Sequence, residues 1–109
     1  AAAVGRLLGR NKVAVVRDGA SGCAVWVDGQ VTVVPGYPQT PVDTNGAGDA
    51  HTGILVAGVA RGLGWVAAAK RANAGAAIKV TRRGPATAPG ASEIDGFLGA
   101  RPAVGWTRV

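Results

Sequence analysis

The sequence is poor in cysteine, aromatic residues and acidic residues, and it lacks long apolar runs. Its one cysteine, Cys23, cannot form a disulfide within the chain. This favours a reducing, cytoplasmic environment and a small buried strand residue at that position. No apolar run approaches the roughly 20 residues that a membrane helix requires. Arg6 and Arg10 stand where a secretory leader would have its apolar core, so we expect neither a membrane helix nor a signal peptide.

Acidic residues are half as frequent as basic ones, with six Asp and Glu against twelve Lys and Arg. The formal net charge of +6 raises the possibility of nucleic-acid binding. The basic residues, however, are spread from Arg6 to Arg108, and no aromatic residues interleave with them to form a stacking platform. A basic nucleic-acid-binding module is therefore the weakest of the functions considered, and an anionic small ligand fits the charge better.

The sequence is rich in apolar residues, which make up 48% of it and suffice for one packed α/β unit. The apolar run Val13–Val16 predicts a strand buried on both faces of a parallel sheet. Asp28-Gly29, flanked by apolar segments at 23–27 and 30–34, predicts a hairpin with a type I′ turn. The prolines that follow predict an extended connector, since each fixes its own φ and lacks an amide donor: Pro35, Pro38 and Pro41.

Three helices are predicted after this connector. The first, from Gly46 to Arg61, is apolar almost all round, which is typical of a helix buried inside a larger protein. The second runs from about Trp65 to Lys79, and a short third helix has Ser92 as its cap. Three strands are too few to cover the first helix. We therefore expect residues 1–109 either to be the C-terminal portion of a larger domain or to need a partner chain. In the first case the segment alone should be poorly soluble and inactive.

The segment Asp43-Thr44-Asn45-Gly46-Ala47-Gly48-Asp49 lies where the connector enters the first long helix. Its two glycines allow the backbone to approach a ligand closely, and the amides of a first helical turn lack intrahelical acceptors. Together with the helix dipole, such amides bind phosphate. Phosphate would repel the carboxylate of Asp49, so that residue needs a chemical reason to be there. Accepting a proton from an attacking hydroxyl supplies one.

Two other phosphate-binding loops are excluded by the same residues. A P-loop requires Gly-Lys-Ser/Thr, whereas Gly48 is followed by Asp49. A dinucleotide fingerprint requires a third glycine where His51 stands. The remaining alternative is a tight turn in which Asp49 is only a favourable charge at the helix N-terminus, worth about 0.3–1 kcal/mol.

Residues Asp43–Ala50 resemble the C-terminal signature of the ribokinase-like (PfkB) carbohydrate kinases, commonly Asp-Thr-x-Gly-Ala-Gly-Asp-Ala-Phe, with His51 in place of the phenylalanine. The resemblance extends to Val13–Gly19, 72–77 and Val80–Gly84. It implies a three-layer α/β/α fold. It also implies an enzyme that uses ATP and Mg²⁺ and transfers the γ-phosphate to a hydroxyl of a sugar-like substrate.

The resemblance also implies roles for single residues. Asp49 would be the catalytic base. The anion hole for the transferring phosphoryl group would consist of Gly46, Ala47 and Gly48. The nucleotide would contact Arg17, Asp18, Gly19, Gly22 and, at the adenine, Asn73. A monovalent cation, K⁺, would be held by Asp43, Asn45 and the carbonyls of Lys79, Arg82 and Gly84.

Alternatives within this family stay open at the level of sequence. A nucleoside kinase of the same fold, or a catalytically silent member, would contain the same segment. The family's sugar-binding half and its Asn-x-x-Glu motif associated with magnesium have no counterpart in these residues. We expect them in the N-terminal part of the same protein, which is the expected partner together with a second copy in a homodimer.

Overall fold

The computed structural model describes residues 1–8, 12–100 and 107–108. Its helices are α1 (Ala2–Leu8), α2 (Ala47–Ala60), α3 (Trp65–Val80) and α4 (Ala91–Gly99). Its strands are β1 (Ala14–Arg17), β2 (Gly22–Val27), β3 (Gln30–Pro35) and β4 (Thr107–Arg108). The four strands form one sheet in chain order, and each neighbouring pair is antiparallel. None of the described helices has the length and apolar character needed to cross a bilayer.

β1 is a strand as predicted, but the prediction of a parallel strand buried on both faces was wrong for the described sheet. It pairs antiparallel with β2, so that Ala14 lies opposite Trp26. The link at 18–21 explains the difference, because a parallel crossover needs about a dozen residues or more. Val15 packs against the buried core, whereas Val16, which points to the opposite face, is 40% exposed, so the apolar run is not buried on both faces.

The hairpin of β2 and β3 forms as predicted. Asp28 and Gly29 have φ values of 52° and 76°, both positive as a type I′ turn requires. The register places Trp26 opposite Val31, and Trp26 is buried as a packing residue. The opposite face of the hairpin, with Cys23, Val25 and Val34, packs against the helices, and β3 leads into the connector that begins at Gly36.

Two clusters of buried side chains share α3. The first joins the sheet, α2 and α3 and contains Cys23, Val25, Val34, Leu55, Ala68, Ala69 and Ala72. The second joins the connector, α3 and α4 and contains Tyr37, Ala74, Ala77 and Ile94. Burying a valine or leucine side chain contributes roughly 1.5–3 kcal/mol, so these clusters fix α3 between the sheet, α2 and α4.

The small residues of α3 let α2 approach it closely. Gly75 has no side chain, and a Cβ there would collide with the side chain of Ile54 on α2. This packing places the first turn of α2 beside the end of α3.

The short helix predicted last is α4, which begins after Gly90, whose amide donates to Glu93 Oε1 at 3.3 Å. Ser92 therefore lies inside α4, and the prediction that it caps this helix was wrong.

Candidate functional site

A cavity of about 320 Å³ lies between the end of β1, the connector after β3 and the helices α2 and α3. Its lining includes six residues of the predicted site: Arg17, Gly19, Gly22, Ala47, Gly48 and Asn73. Asp18, Gly46 and Asp49 are not among its lining residues, although each is next to one in sequence. The structure thus brings the predicted nucleotide loop, the glycine-rich turn and Asn73 to one cavity.

The loop between β1 and β2 borders this cavity with its backbone. Its residues Gly19–Ser21 form a short 3-10 turn. The amide of Asp18 donates to the carbonyl of Gly22 at 2.8 Å, and the amide of Ser21 donates to the carbonyl of Asp18 at 3.0 Å. These bonds hold Gly19 and Gly22 on the cavity wall. Gly22 has a φ of 102°, and a Cβ there would collide with the backbone of Val34 and Gly36, so glycine is required at this position.

The turn that enters α2 depends on the conformation of Gly46. This residue is the N-cap of α2 and has a φ of 77°, in the left-handed region that glycine adopts without strain. A Cβ at this position would also collide with the carbonyl oxygen of Pro85. The amide of Ala47 donates to the carbonyl of Thr44 at 3.2 Å, and Gly48 and Asp49 follow in the first helical turn. The amides of Gly48 and Asp49, unlike that of Ala47, have no acceptor among the described residues and can bind an anion.

A guanidinium group lies against this turn. Arg17, at the end of β1, donates through Nη1 to the carbonyl of Gly48 and to Thr52 Oγ1, both at 2.7 Å. Thr52 Oγ1 in turn donates to the carbonyl of Gly48 at 3.1 Å. Guanidinium has five N–H donors, so Arg17 adds positive charge and further donors beside the first-turn amides. The sequence predicted Arg17 as a nucleotide contact, and the structure places it next to the glycine-rich turn.

Asp49 is exposed in the first turn of α2, immediately after Gly48. Among the described residues, none forms a hydrogen bond or an ion pair with its carboxylate. A carboxylate that is not bound to other side chains can accept a proton from a ligand. Its position places that acceptor next to the amides of the first helical turn.

Asn73 and His51 form a buried polar pair behind the cavity. Asn73 Nδ2 donates to the carbonyls of Val34 and Pro35, at 3.0 and 3.1 Å. Asn73 Oδ1 lies 2.8 Å from His51 Nε2, and an amide oxygen only accepts, so His51 carries its proton on Nε2. Burial lowers the pKa of His51 below its ordinary value, which favours the neutral ring. This pair ties β3, α2 and α3 together, and His51 is buried in the interior.

Asp43 connects the start of the glycine-rich turn to the segment that follows α3. Its Oδ1 accepts the amide of Asn45 and its Oδ2 accepts the amide of Gly84, both at 2.9 Å. These two hydrogen bonds, together with the positive charges of Lys79 and Arg83, lower the pKa of the Asp43 carboxyl. Asp43 therefore fixes two loops relative to each other as an ionised group.

Lys79 lies on the other side of these loops and is fully buried, with an exposure of 0%. Its Nζ donates to the carbonyl of Asp43 at 2.9 Å and to that of Arg82 at 3.2 Å. The sequence assigned only the carbonyl of Lys79 to a cation site, and that carbonyl accepts the amide of Arg82 at 2.9 Å. The carbonyl of Gly84 accepts the hydroxyl of Thr87 at 2.9 Å. Of the positions predicted to hold a cation, Asp43 and Arg82 direct their backbone carbonyls to the ammonium of Lys79, which supplies a positive charge at this point.

Two features of this site escaped the sequence analysis: the buried ammonium and the contact of Arg17 with Gly48. Arg17 and Gly48 are 31 residues apart, and no local pattern relates them. A signal for Lys79 did exist, because Lys79 follows a run of alanines and Ile78 on a helix face otherwise free of charge. Lysine is almost never fully buried without partners, so its position in the apolar stripe indicated a specific role.

Comparison with known proteins places the chain in a family. Residues 1–91 match the family described as pfkB family carbohydrate kinase. The chain is 40% identical over 60 residues to the bifunctional protein HldE of Rhodopseudomonas palustris, a match that covers 55% of this chain and 12% of that protein. It is 34% identical over 92 residues to a fructokinase of Vibrio alginolyticus, covering 78% of this chain and 30% of that protein. The chain thus spans less than a third of the length of these relatives.

Solved structures agree with this assignment. The ribokinase of Thermotoga maritima aligns with a TM-score of 0.76 and 29% identity, covering 81% of this chain and 30% of that one. The nucleoside kinase of Burkholderia thailandensis, in complex with ADP-inosine, aligns with a TM-score of 0.73 and 30% identity, covering 81% of this chain and 28% of that one. The chain therefore has the α/β fold of the ribokinase-like enzymes and belongs to the pfkB family of carbohydrate kinases.

Proposed function

We propose that the intact protein is an ATP-dependent kinase that transfers the γ-phosphate to a hydroxyl of a sugar or sugar-like substrate. Residues 1–109 would be the C-terminal, nucleotide-binding and catalytic portion of its domain. The observation that carries this proposal is the cavity that reaches the glycine-rich turn at Ala47 and Gly48, with Arg17 bonded to the carbonyl of Gly48 and the exposed Asp49 next in the chain.

The phosphoryl group is proposed to lie at Gly46, Ala47 and Gly48, where backbone amides and the dipole of α2 favour negative charge. Gly46 supplies the left-handed turn, and Gly48 leaves the approach open. Arg17 contributes charge from the side. Donors held in place before the reaction stabilise the charge that develops as the phosphoryl group moves, because they need no reorganisation.

Asp49 is proposed to accept the proton of the attacking hydroxyl. The transition state of phosphoryl transfer is loose in most analyses, and positioning and charge stabilisation supply most of the catalysis. A carboxylate near the attacking oxygen is then a sufficient base. Its exposed side chain and lack of partners among the described residues support this role.

The nucleotide is proposed to occupy the cavity between the β1–β2 loop and α3. Asp18, Gly19 and Gly22 would border its phosphates, and Asn73 would stand at the adenine end. Because the amide group of Asn73 already bonds to β3 and to His51, we expect it to shape the cavity wall for the base rather than to bond with it. The adenine nucleotide in the Burkholderia thailandensis kinase supports a nucleotide in this chain.

Magnesium would accompany the nucleotide and neutralise part of its phosphate charge. The described part of the chain has no group of three or more His, Cys, Asp or Glu side chains arranged to hold a metal ion. Mg²⁺ is usually bound through one or two carboxylates together with substrate phosphates. We therefore derive no role in Mg²⁺ binding for the described residues.

A nucleoside acceptor is the second candidate, because a structurally similar kinase is described in complex with inosine. The test is a screen of the full-length protein with ATP and Mg²⁺ against panels of sugars and nucleosides, with ADP release as the readout. Release with a sugar supports the proposal, whereas release with nucleosides alone selects the second candidate. ATP binding without release on either panel would indicate a catalytically silent member and contradict both.

A further inference from the structure

The buried ammonium of Lys79 joins two loops, the one that begins the glycine-rich turn at Asp43 and the one that follows α3. One acceptor is the carbonyl of Asp43, which begins the segment entering α2, and the other is the carbonyl of Arg82, in the turn after α3. A lysine with 0% exposure requires such partners, because a charge removed from water without them is very costly. Nζ therefore occupies a specific binding position between two loops.

The groups around Nζ are those that bind a monovalent cation. Carbonyl oxygens from two loops face it, and the carboxylate of Asp43 bonds to the amides of Asn45 and Gly84 in the same two loops. Oxygen atoms, backbone carbonyls among them, are the ligands that hard cations prefer. An ammonium carries the same single charge as an alkali ion, and it is covalently attached to α3.

We propose that the Lys79 ammonium replaces a bound monovalent cation behind the phosphate turn, and that the kinase therefore needs no K⁺. This inference rests on the proposed function for its activity readout. The ammonium draws the Asp43 and Arg82 loops together, and so orders the turn at Gly46 that presents the first-turn amides. A free cation does this only when its concentration is high, whereas a tethered charge is always present.

The first test uses the unaltered full-length protein. Its ADP release should be the same in KCl, NaCl and choline chloride at equal ionic strength. Its melting temperature should likewise be the same in KCl and choline chloride. A clear rise of either quantity in KCl over choline chloride would overturn the proposal. The melting temperature requires no substrate, so it decides the inference even if the proposed kinase activity is absent.

The second test removes the ammonium. Lys79→Ala leaves the carbonyls without their cation and opens space beside them. Its activity in choline chloride should fall roughly tenfold or more, the scale of coupling between linked sites, and KCl should restore much of it. Its melting temperature should rise with KCl. Lys70→Ala, a lysine of the same helix that forms none of these bonds, should respond alike to both salts. A folded Lys79→Ala protein that is indifferent to KCl in both readouts would contradict the proposal.

A variant that does not fold in choline chloride is also informative. If Lys79→Ala folds in KCl but not in choline chloride, the cation is doing what the ammonium did. If it folds in neither salt, Lys79→Met gives a matched side-chain length without charge. The proposal then still depends on the unaltered protein, whose equal behaviour in the two salts supports it and whose activation by KCl refutes it.

Discussion

The turn that enters α2 has two sides, which differ in how far their polar groups are already bonded. On the solvent-accessible side, Asp49 is exposed and the guanidinium of Arg17, which lines the cavity, bonds to the carbonyl of Gly48. On the reverse side, Asp43 and Lys79 bond to both adjoining loops. The comparison shows how a turn can be held rigid by one set of hydrogen bonds while Asp49, in its first helical turn, has no partner among the described residues.

The largest expected effect comes from a change that damages both sides together. Gly46→Ala places a Cβ against the carbonyl oxygen of Pro85 and forces a left-handed residue, which by itself costs about 1–2 kcal/mol. We expect a clear fall in melting temperature and loss of ADP release in the full-length protein. Thermal unfolding followed by circular dichroism measures the first effect. Unchanged stability would mean that the turn is not constrained as described.

A substitution at Gly48 should lower activity without lowering stability, and so separate the ligand-facing groups from the hydrogen bonds that hold the turn. A Cβ here would lie 3.5 Å from Arg17 Nη2, an ordinary contact, so Gly48→Val should leave the fold intact. Its bulk should keep phosphate from the amides and lower kcat by about 10²-fold or more, as the loss of one anion-hole donor does. Gly53→Ala, on the same helix with open space around it, is the matched control. Full activity in Gly48→Val would place the phosphate elsewhere.

The smallest expected effect concerns the pair His51 and Asn73 beneath the cavity. Burial lowers the pKa of His51 below its ordinary 6.5, so below that pH the unfolded chain binds more protons than the folded one. The stability from this group is therefore complete above pH 6.5 and declines as the pH falls. Melting temperature should drop between pH 7.5 and 5.5 by less in His51→Gln than in the unaltered protein. Equal drops in both would show that His51 does not contribute.

The acid response of the reverse side should occur in a separate, lower pH range. Asp43 has a pKa below its ordinary 3.8, so its contribution to stability is lost only as the pH falls below that value. The interval from pH 7.5 to 5.5 therefore reports on His51 without interference from Asp43. Melting temperature measured against pH should therefore fall in two separate steps, one near the pKa of His51 and one at lower pH for Asp43.

Local signals explain which parts of the fold could be predicted. Asp28-Gly29 predicts its hairpin because both residues readily adopt the positive φ that a type I′ turn requires. The glycine-rich turn can likewise be recognised from its composition. The apolar run of β1 does not indicate whether the strand pairs parallel or antiparallel. The link from β1 to β2 is too short for a parallel crossover, and it therefore determines the antiparallel pairing. The contact of Arg17 with Gly48 depends on packing between distant segments.

The site shows the same division. The residues Arg17, Gly48 and Asn73 were predicted to belong together, and the cavity brings them together. The ammonium of Lys79 was missed because a lysine in a helix is normally expected to face water. The cytoplasmic location, the homodimer and the role of each site residue stay predictions.

The most direct test of the central claim is the steady-state kinetics of Asp49→Asn in the full-length protein. Asparagine keeps the shape of the side chain and removes its basicity. The kcat should fall by about 10²–10⁴-fold, the usual contribution of a positioned acid or base, while KM for both substrates changes far less. Circular dichroism should show equal folding, since the carboxylate is exposed. A mutant that keeps more than about a tenth of the original kcat would contradict the account, since that loss lies below the low end of this range.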